Sequence, residues 1–322
     1  MQKARLRRRV PRARTVLRCA AAAVTAALSM APAVGAAGAM ATMEQAADPA
    51  GQAASPRVIT LTPHATEIVY AAAGGDLMVG TVSSSDFPEA ARGLPRIGDG
   101  MVLNQERIIV LRPTLIIGWH RSGIAPQVEA LSGKIGAQML YSAPARLRDI
   151  PADVRKTGRL MGTEAAASKA AAAMEARIQE LEDRHAGRRP VTVFIEVGHL
   201  PLYTIGADPL LNDALRICGG VNIYGASGVP APRVPIENVL VQDPQLLVAP
   251  ARSPDELEPV RARWTDYGLD AAIKGRVHAA DPDALFRPGP RLIDATEALC
   301  GAIEKARKEI NQRSAQERLD PP

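Results

Sequence analysis

A twelve-residue passage occurs twice in this chain, and it limits the possible folds more than any other feature. Glu106-Arg-Ile-Ile-Val-Leu-Arg-Pro113-Thr-Leu-Ile-Ile returns as Glu237-Asn-Val-Leu-Val-Gln-Asp-Pro244-Gln-Leu-Leu-Val. In each copy a glutamate opens a short amphipathic helix, where the helix dipole favours an acid. Seven residues on stands a proline, which lacks the N–H that a helix needs and clashes with the preceding turn. The apolar run after it reads as a buried parallel strand. The copies lie 131 residues apart, too far for a solenoid period and about one domain in length. The pattern predicts two similar α/β lobes, and 322 residues are enough to bury two cores.

The first forty residues are of a different kind. Eight basic residues and no acid fall within residues 1–18, followed by an alanine-rich apolar stretch from Cys19 to Met30 and small residues through Ala41. A basic segment, a short apolar segment and A-x-A-like sites are the marks of a secretory signal peptide, predicted here as residues 1–41 and followed by a flexible lead-in over 42–56. The apolar run is too short for a membrane span. Cys19 precedes that run instead of following it, which argues against lipidation. Without the eight basic residues of the leader, the formal charge of +5 falls to about −3. The basic character thus belongs to the leader, and no patch remains to suggest nucleic acid. Two cysteines stay in the exported chain, Cys218 and Cys300. An even count there favours a disulfide, with two buried free thiols as the alternative.

The rest of the chain divides accordingly. Residues 57–150 read as a first α/β lobe: strand Arg57–Pro63, a helix ended by Gly74-Gly75, strand Leu77–Ser83, the first repeat copy, and a strand delivering Trp119-His120. Residues 151–188 lack strand signals, and the stretch Glu164–Asp183 within them has strong helix composition over about twenty residues, predicting a long stiff helix between the lobes. Residues 189–310 read as the second lobe, with strand Val191–Val197, a turn region Gly198–Tyr203, helix Leu210–Ile217, the second repeat copy, strand Arg276–Ala279 and a C-terminal helix from Arg291 to about Ile310. Residues 311–322 are polar and expected to be disordered.

In open α/β sheets a ligand sits off the carboxyl ends of the strands. That rule selects His64, Ser84, Asp86, Phe87, Trp119, His120, His199, Tyr203, Asp283 and Arg287 as cleft candidates. No G-x-S-x-G elbow, H-E-x-x-H, P-loop or dinucleotide fingerprint is present, and Ser122 with a distant histidine is too unspecific to carry hydrolysis, so no enzyme is expected. His64, His120 and His199 could bind a metal of a ligand through neutral imidazole. None has a carboxylate or second histidine at ligand spacing, so polar cleft histidines are the other reading. Trp119 is either a stacking platform for a flat ligand or lobe core.

With these residues in place, Arg57-Val-Ile-Thr-Leu-Thr-Pro-His-Ala-Thr-Glu67, Ser83-Ser-Ser-Asp-Phe-Pro88, Asn104-Gln-Glu-Arg-Ile108, Cys218-Gly-Gly-Val-Asn-Ile223, Val229-Pro-Ala-Pro-Arg-Val and Pro290-Arg-Leu292 resemble the periplasmic substrate-binding proteins of ABC importers for cobalamin, iron-siderophores and haem, most of all the cobalamin-binding branch. The resemblance implies two Rossmann-like α/β lobes joined by a single long rigid helix, with the ligand between them. It implies a monomeric periplasmic capture protein for cobalamin or a related corrinoid, carried as cargo with no cofactor. Its partner would be a permease dimer with its ATPase, docked through Glu106 and Glu237, and Cys218 would be bonded to Cys300. A siderophore or haem is the alternative ligand. The chain departs from the pattern at Gly100, beside Met101, and at Ala231 and Ser84, where the cobalamin binders carry aromatic residues. It also lacks the tyrosine that haem-binding relatives place in the Gly98–Leu103 loop.

Overall fold

The computed structural model describes residues 55–121 and 123–319. The predicted leader, Cys19, most of the lead-in and Ser122 lie outside the described residues.

The first lobe is built on a parallel sheet of order β2-β1-β3-β4, with β1 Val58–Thr60, β2 Met78–Thr81, β3 Leu115–Gly118 and β4 Gln138–Tyr141. Both faces are covered, which is why these strands are apolar throughout. Val58, Leu115 and Ile117 point to one face, against helix α1 (Pro63–Ala71). Ile59 and Ile116 point to the other, against α2 (Gln105–Leu111) and α3 (Ala125–Ile135) through Ile108, Val128 and Leu131.

The long helix expected between the lobes is present, and a second helix precedes it in the same region. Helix α4 (Asp149–Met161) stops at Gly162, in the left-handed conformation at φ 74°, and α5 (Glu164–His185) runs back along it. The two cross so closely that a Cβ at Gly158 would stand 2.2 Å from that of Ala167. At 22 residues, α5 is about 33 Å long. Ala167 and Ala171 belong to the first lobe's core, Ile178 and Leu181 to the second's, and Met174 packs against both.

In the second lobe β5 (Val191–His199) is central. On one side it pairs in parallel with β8 (Leu246–Pro250), which pairs in turn with β9 (Val277–Ala280). On the other side, its first half pairs with β7 (Gly220–Asn222) in parallel and its second half with β6 (Leu202–Thr204) antiparallel. The predicted turn at Gly198–Tyr203 is therefore mostly strand: β5 continues through His199, and the reversal is confined to Leu200-Pro201. Helices α6 (Pro209–Ile217) and α11 (Arg291–Leu319) cover one face with α5. The other face is covered by α7 (Ile236–Gln242), α8 (Pro254–Asp266) and α9 (Asp270–Ile273), with Trp264 fully buried beside Phe194. A short helix, α10 (Pro282–Leu285), leads into α11. Of the tail expected to be disordered, residues 311–319 instead prolong α11 to Leu319, because Gln, Arg, Ala, Glu and Leu predominate there and neither glycine nor proline interrupts them.

The repeat is conserved in shape as well as in letters. Helices α2 and α7 have seven residues each, with Ile108 and Val239 buried at matched places. Each ends on a non-glycine residue in the left-handed conformation directly before its proline, Arg112 at φ 46° and Asp243 at φ 41°. The residue before proline is driven out of the right-handed helical region, so the same punctuation produces the same sharp exit twice. Cys218, after α6, is bonded to Cys300 on α11, with an S–S distance of 2.01 Å. In the chain-entropy account, closing a loop of 82 residues stabilises the fold by about 4.5 kcal/mol.

Candidate functional site

The carboxyl end of the first sheet forms the most ligand-like surface. Strand β3 ends at Gly118, where a Cβ would come within 3.3 Å of the Tyr141 ring, and the chain then presents Trp119 and His120. Trp119 is 43% exposed despite its size. Its ring stacks on His120 with centroids 4.6 Å apart and meets His64 in a T-shaped contact at 5.4 Å. The two rings face an apolar cavity of about 230 Å³, with Leu61, Gly100, Met101 and Ile124 among its walls. That is below the size of a typical enclosed small-ligand pocket, so the cavity can seat one face or edge of a large flat ligand but not the whole of it. The Gly98–Leu103 loop holds Met101 over this cavity. Asp99 Oδ1 accepts from the backbone N–H groups of Met101 and Val102, both at 2.8 Å, which holds its carboxyl below the usual range. A side chain on Gly98 would meet Val102 O at 2.1 Å, so the turn requires glycine there.

His64 stands behind this surface, not on it. Only 2% of it is exposed, and Nε2 lies 3.1 Å from the Ser142 carbonyl. The expectation of a cleft-facing ligand is corrected here: the helix starts at Pro63, which turns the next side chain inward. Burial pushes the imidazole pKa down to about 4, against which the Ser142 hydrogen bond works. The proton is then bound more readily by the unfolded chain, so the stability His64 contributes is present above about pH 6.5 and is lost as the pH falls toward 4. The loss reaches about 3 kcal/mol. Urea unfolding of wild type and His64→Gln between pH 7 and 4 tests this: the substituted protein should lose distinctly less stability, and parallel losses would refute it.

Asp86, Phe87, Asp283 and Arg287 do come together, but as partners of one another across the lobes and not as free cleft groups. Arg287 Nη1 reaches Asp86 Oδ1 of the first lobe at 2.6 Å, and its Nη2 reaches Asp283 Oδ1 at 2.6 Å. Arg252 binds the second oxygen of Asp283 at 2.7 Å. Beside them Arg291 donates two bonds to Glu67, at 2.7 and 3.1 Å, and lies over the Phe87 ring at 4.3 Å. The hydrogen bond from Arg287 holds the Asp86 carboxyl below its usual pKa. Six charges of balanced sign thereby bridge α1 and the loop after β2 to α10 and α11.

Sequence reasoning missed Glu67 and Arg291 as a pair. The available signal was an acid inside the otherwise apolar helix α1, which burial would oblige to find a cation. It also missed a buried hydroxyl cluster in which Thr66 contacts Thr60, Thr81 and Ser85 at 2.7–3.0 Å. This cluster ties the loop carrying Ser84, Asp86 and Phe87 to α1, while Ser84 itself is exposed.

His199, Tyr203 and Ala231 are not part of the Trp119 cavity. They sit on the β5–β6 hairpin of the second lobe and the segment paired to it, with Tyr203 39% exposed and its backbone bridged to Arg233. Glu106 and Glu237 are exposed near the start of α2 and α7, and neither carboxylate has a hydrogen-bond or ion-pair partner among the described residues. Among those residues no group of three or more His, Cys, Asp and Glu side chains is arranged to hold a metal ion.

Residues 58–284 match a family model described as periplasmic binding protein. The chain is 33% identical over 253 residues to the vitamin B12-binding protein of Vibrio cholerae, an alignment spanning 79% of this chain and 91% of that protein. The crystal structure of the periplasmic vitamin B12 binding protein of Vibrio cholerae superposes with a TM-score of 0.70 at 32% identity, covering 79% of this chain and 98% of that one. The periplasmic haem-binding protein of Roseiflexus sp. RS-1, in its apo form, superposes with a TM-score of 0.67 at 26% identity, covering 79% and 99%.

Proposed function

This chain belongs to the periplasmic binding protein family, and from that premise we propose that it captures cobalamin or a related corrinoid in the periplasm and delivers it to an ABC importer. Members of this family bind solutes and are not enzymes, and the ligand is cargo, not a cofactor. The observation that carries the corrinoid reading is the half-exposed Trp119 over an apolar cavity. A flat, largely apolar macrocycle gains stacking and hydrophobic contact there. Gly100, Ser84 and Ala231 offer no aromatic wall, which leaves more of the stacking to Trp119. Calorimetric titration of the purified protein with cyanocobalamin should give saturable one-site binding. Trp119→Ala should weaken it at least about tenfold. No heat of binding, or an unchanged affinity in the variant, would sink this reading.

A second reading is favoured by one observation: His120 lines the same cavity and lies stacked on Trp119. An accessible imidazole at a macrocycle's face suits haem iron. A Soret band on adding haemin that disappears in His120→Ala, without cyanocobalamin binding, would replace the corrinoid with haem.

A further inference from the structure

The repeated helices carry a second matched feature that their glutamates do not explain. Four residues after each glutamate stands a valine, Val110 in α2 and Val241 in α7. Val110 is 76% exposed and Val241 85% exposed. The residues two places after the glutamates, Ile108 and Val239, are fully buried, so each valine has been left outside a core that its neighbour enters. A separation of four places carboxylate and valine on one face of the helix, a turn apart. A lone exposed valine needs no explanation. The same exposure at the same step of two helices, each with an unpaired acid at its head and a left-handed exit at its foot, does.

We infer that Val110 and Val241 are apolar anchors of the docking surface, so that each lobe presents an acid and a hydrophobic side chain as one unit. The partner it fits is a membrane protein of two like subunits, each offering a guanidinium or ammonium group beside an apolar patch. This rests on reading the chain as an importer's binding protein but not on which ligand it carries. The physical argument is desolvation. A carboxylate–cation pair in open water contributes little, whereas the same pair sealed from water by adjoining apolar contact is much stronger. The valines supply that seal.

The test places the photo-crosslinker benzoylphenylalanine at position 110, 241 or 221 of the full chain, in cells of the parent organism. Val221 is also exposed, at 49%, but lies beside the amino end of β5. Positions 110 and 241 should each form an adduct with the same integral membrane subunit of the importer, identified by peptide mass spectrometry, and position 221 should not. Val110→Ser with Val241→Ser should lower cyanocobalamin uptake at least tenfold and leave the purified protein's cyanocobalamin affinity unchanged. Adducts from only one lobe, adducts with a second copy of this chain, or no adduct with that subunit would overturn the inference. Failure to bind cyanocobalamin would defeat the corrinoid reading while leaving the adducts as they are.

Discussion

Alanine at both Glu106 and Glu237 should abolish cyanocobalamin uptake by cells, while the purified protein should bind cyanocobalamin as tightly as wild type. The two carboxylates are exposed, have no partner among the described residues and are absent from the walls of the Trp119 cavity. Removing them should therefore cost the fold and the ligand nothing. In a complex, truncating one member of a desolvated charge pair costs about 2–5 kcal/mol. Two such losses, one per lobe, weaken docking by about a thousandfold or more. Uptake of labelled cyanocobalamin and calorimetry on the same variant decide the matter. An equal fall in ligand affinity would make the glutamates ligand contacts and remove the docking assignment.

Methionine at Arg291 should destabilise the protein by about 3–5 kcal/mol. Glu67 is only 3% exposed, and Arg291 supplies both of its hydrogen bonds, with Arg287 the next nearest cation at 3.9 Å. Taking the guanidinium away leaves a buried carboxylate without its main partner and also uncovers the Phe87 ring. Urea unfolding measures the cost. Pairing Arg291→Met with Glu67→Leu should recover most of it, because the buried carboxylate left without its main partner is then gone as well, and Arg287 keeps Asp86 and Asp283. A single variant as stable as wild type would mean that the bridge between the lobes contributes little.

Much of this architecture could be read from residue patterns. The glutamate–proline repeat announced two lobes because proline and the residue before it leave the backbone few options, and the structure shows both copies ending at the same unusual φ. The apolar runs after the prolines became central strands because only a strand covered on both faces can be apolar throughout. The disulfide followed from an even cysteine count in a chain read as exported and from the family resemblance. Long-range pairing was not legible. Arg287 and Asp86 are separated by 201 residues, and nothing in either neighbourhood says that they meet. Both looked like ligand contacts because strand ends are where ligands usually sit. His64 failed for a local reason: a proline at the first helical position turned it inward. The tail failed because polarity was read as disorder where helix propensity decided the outcome.

Helix α5 has a bearing on how this protein is lost as well as on how it is joined. Two sheets with separate cores would ordinarily be free to melt one at a time. Here the same helix contributes Ala167 and Ala171 to one core and Ile178 and Leu181 to the other, with Met174 shared between them. Unfolding either sheet strips one end of that helix of its packing, and a helix that must stand in water is only marginally stable. A chain with one lobe intact is consequently short of the contacts that would hold it there. The two lobes should therefore leave the folded population together, as a single cooperative unit.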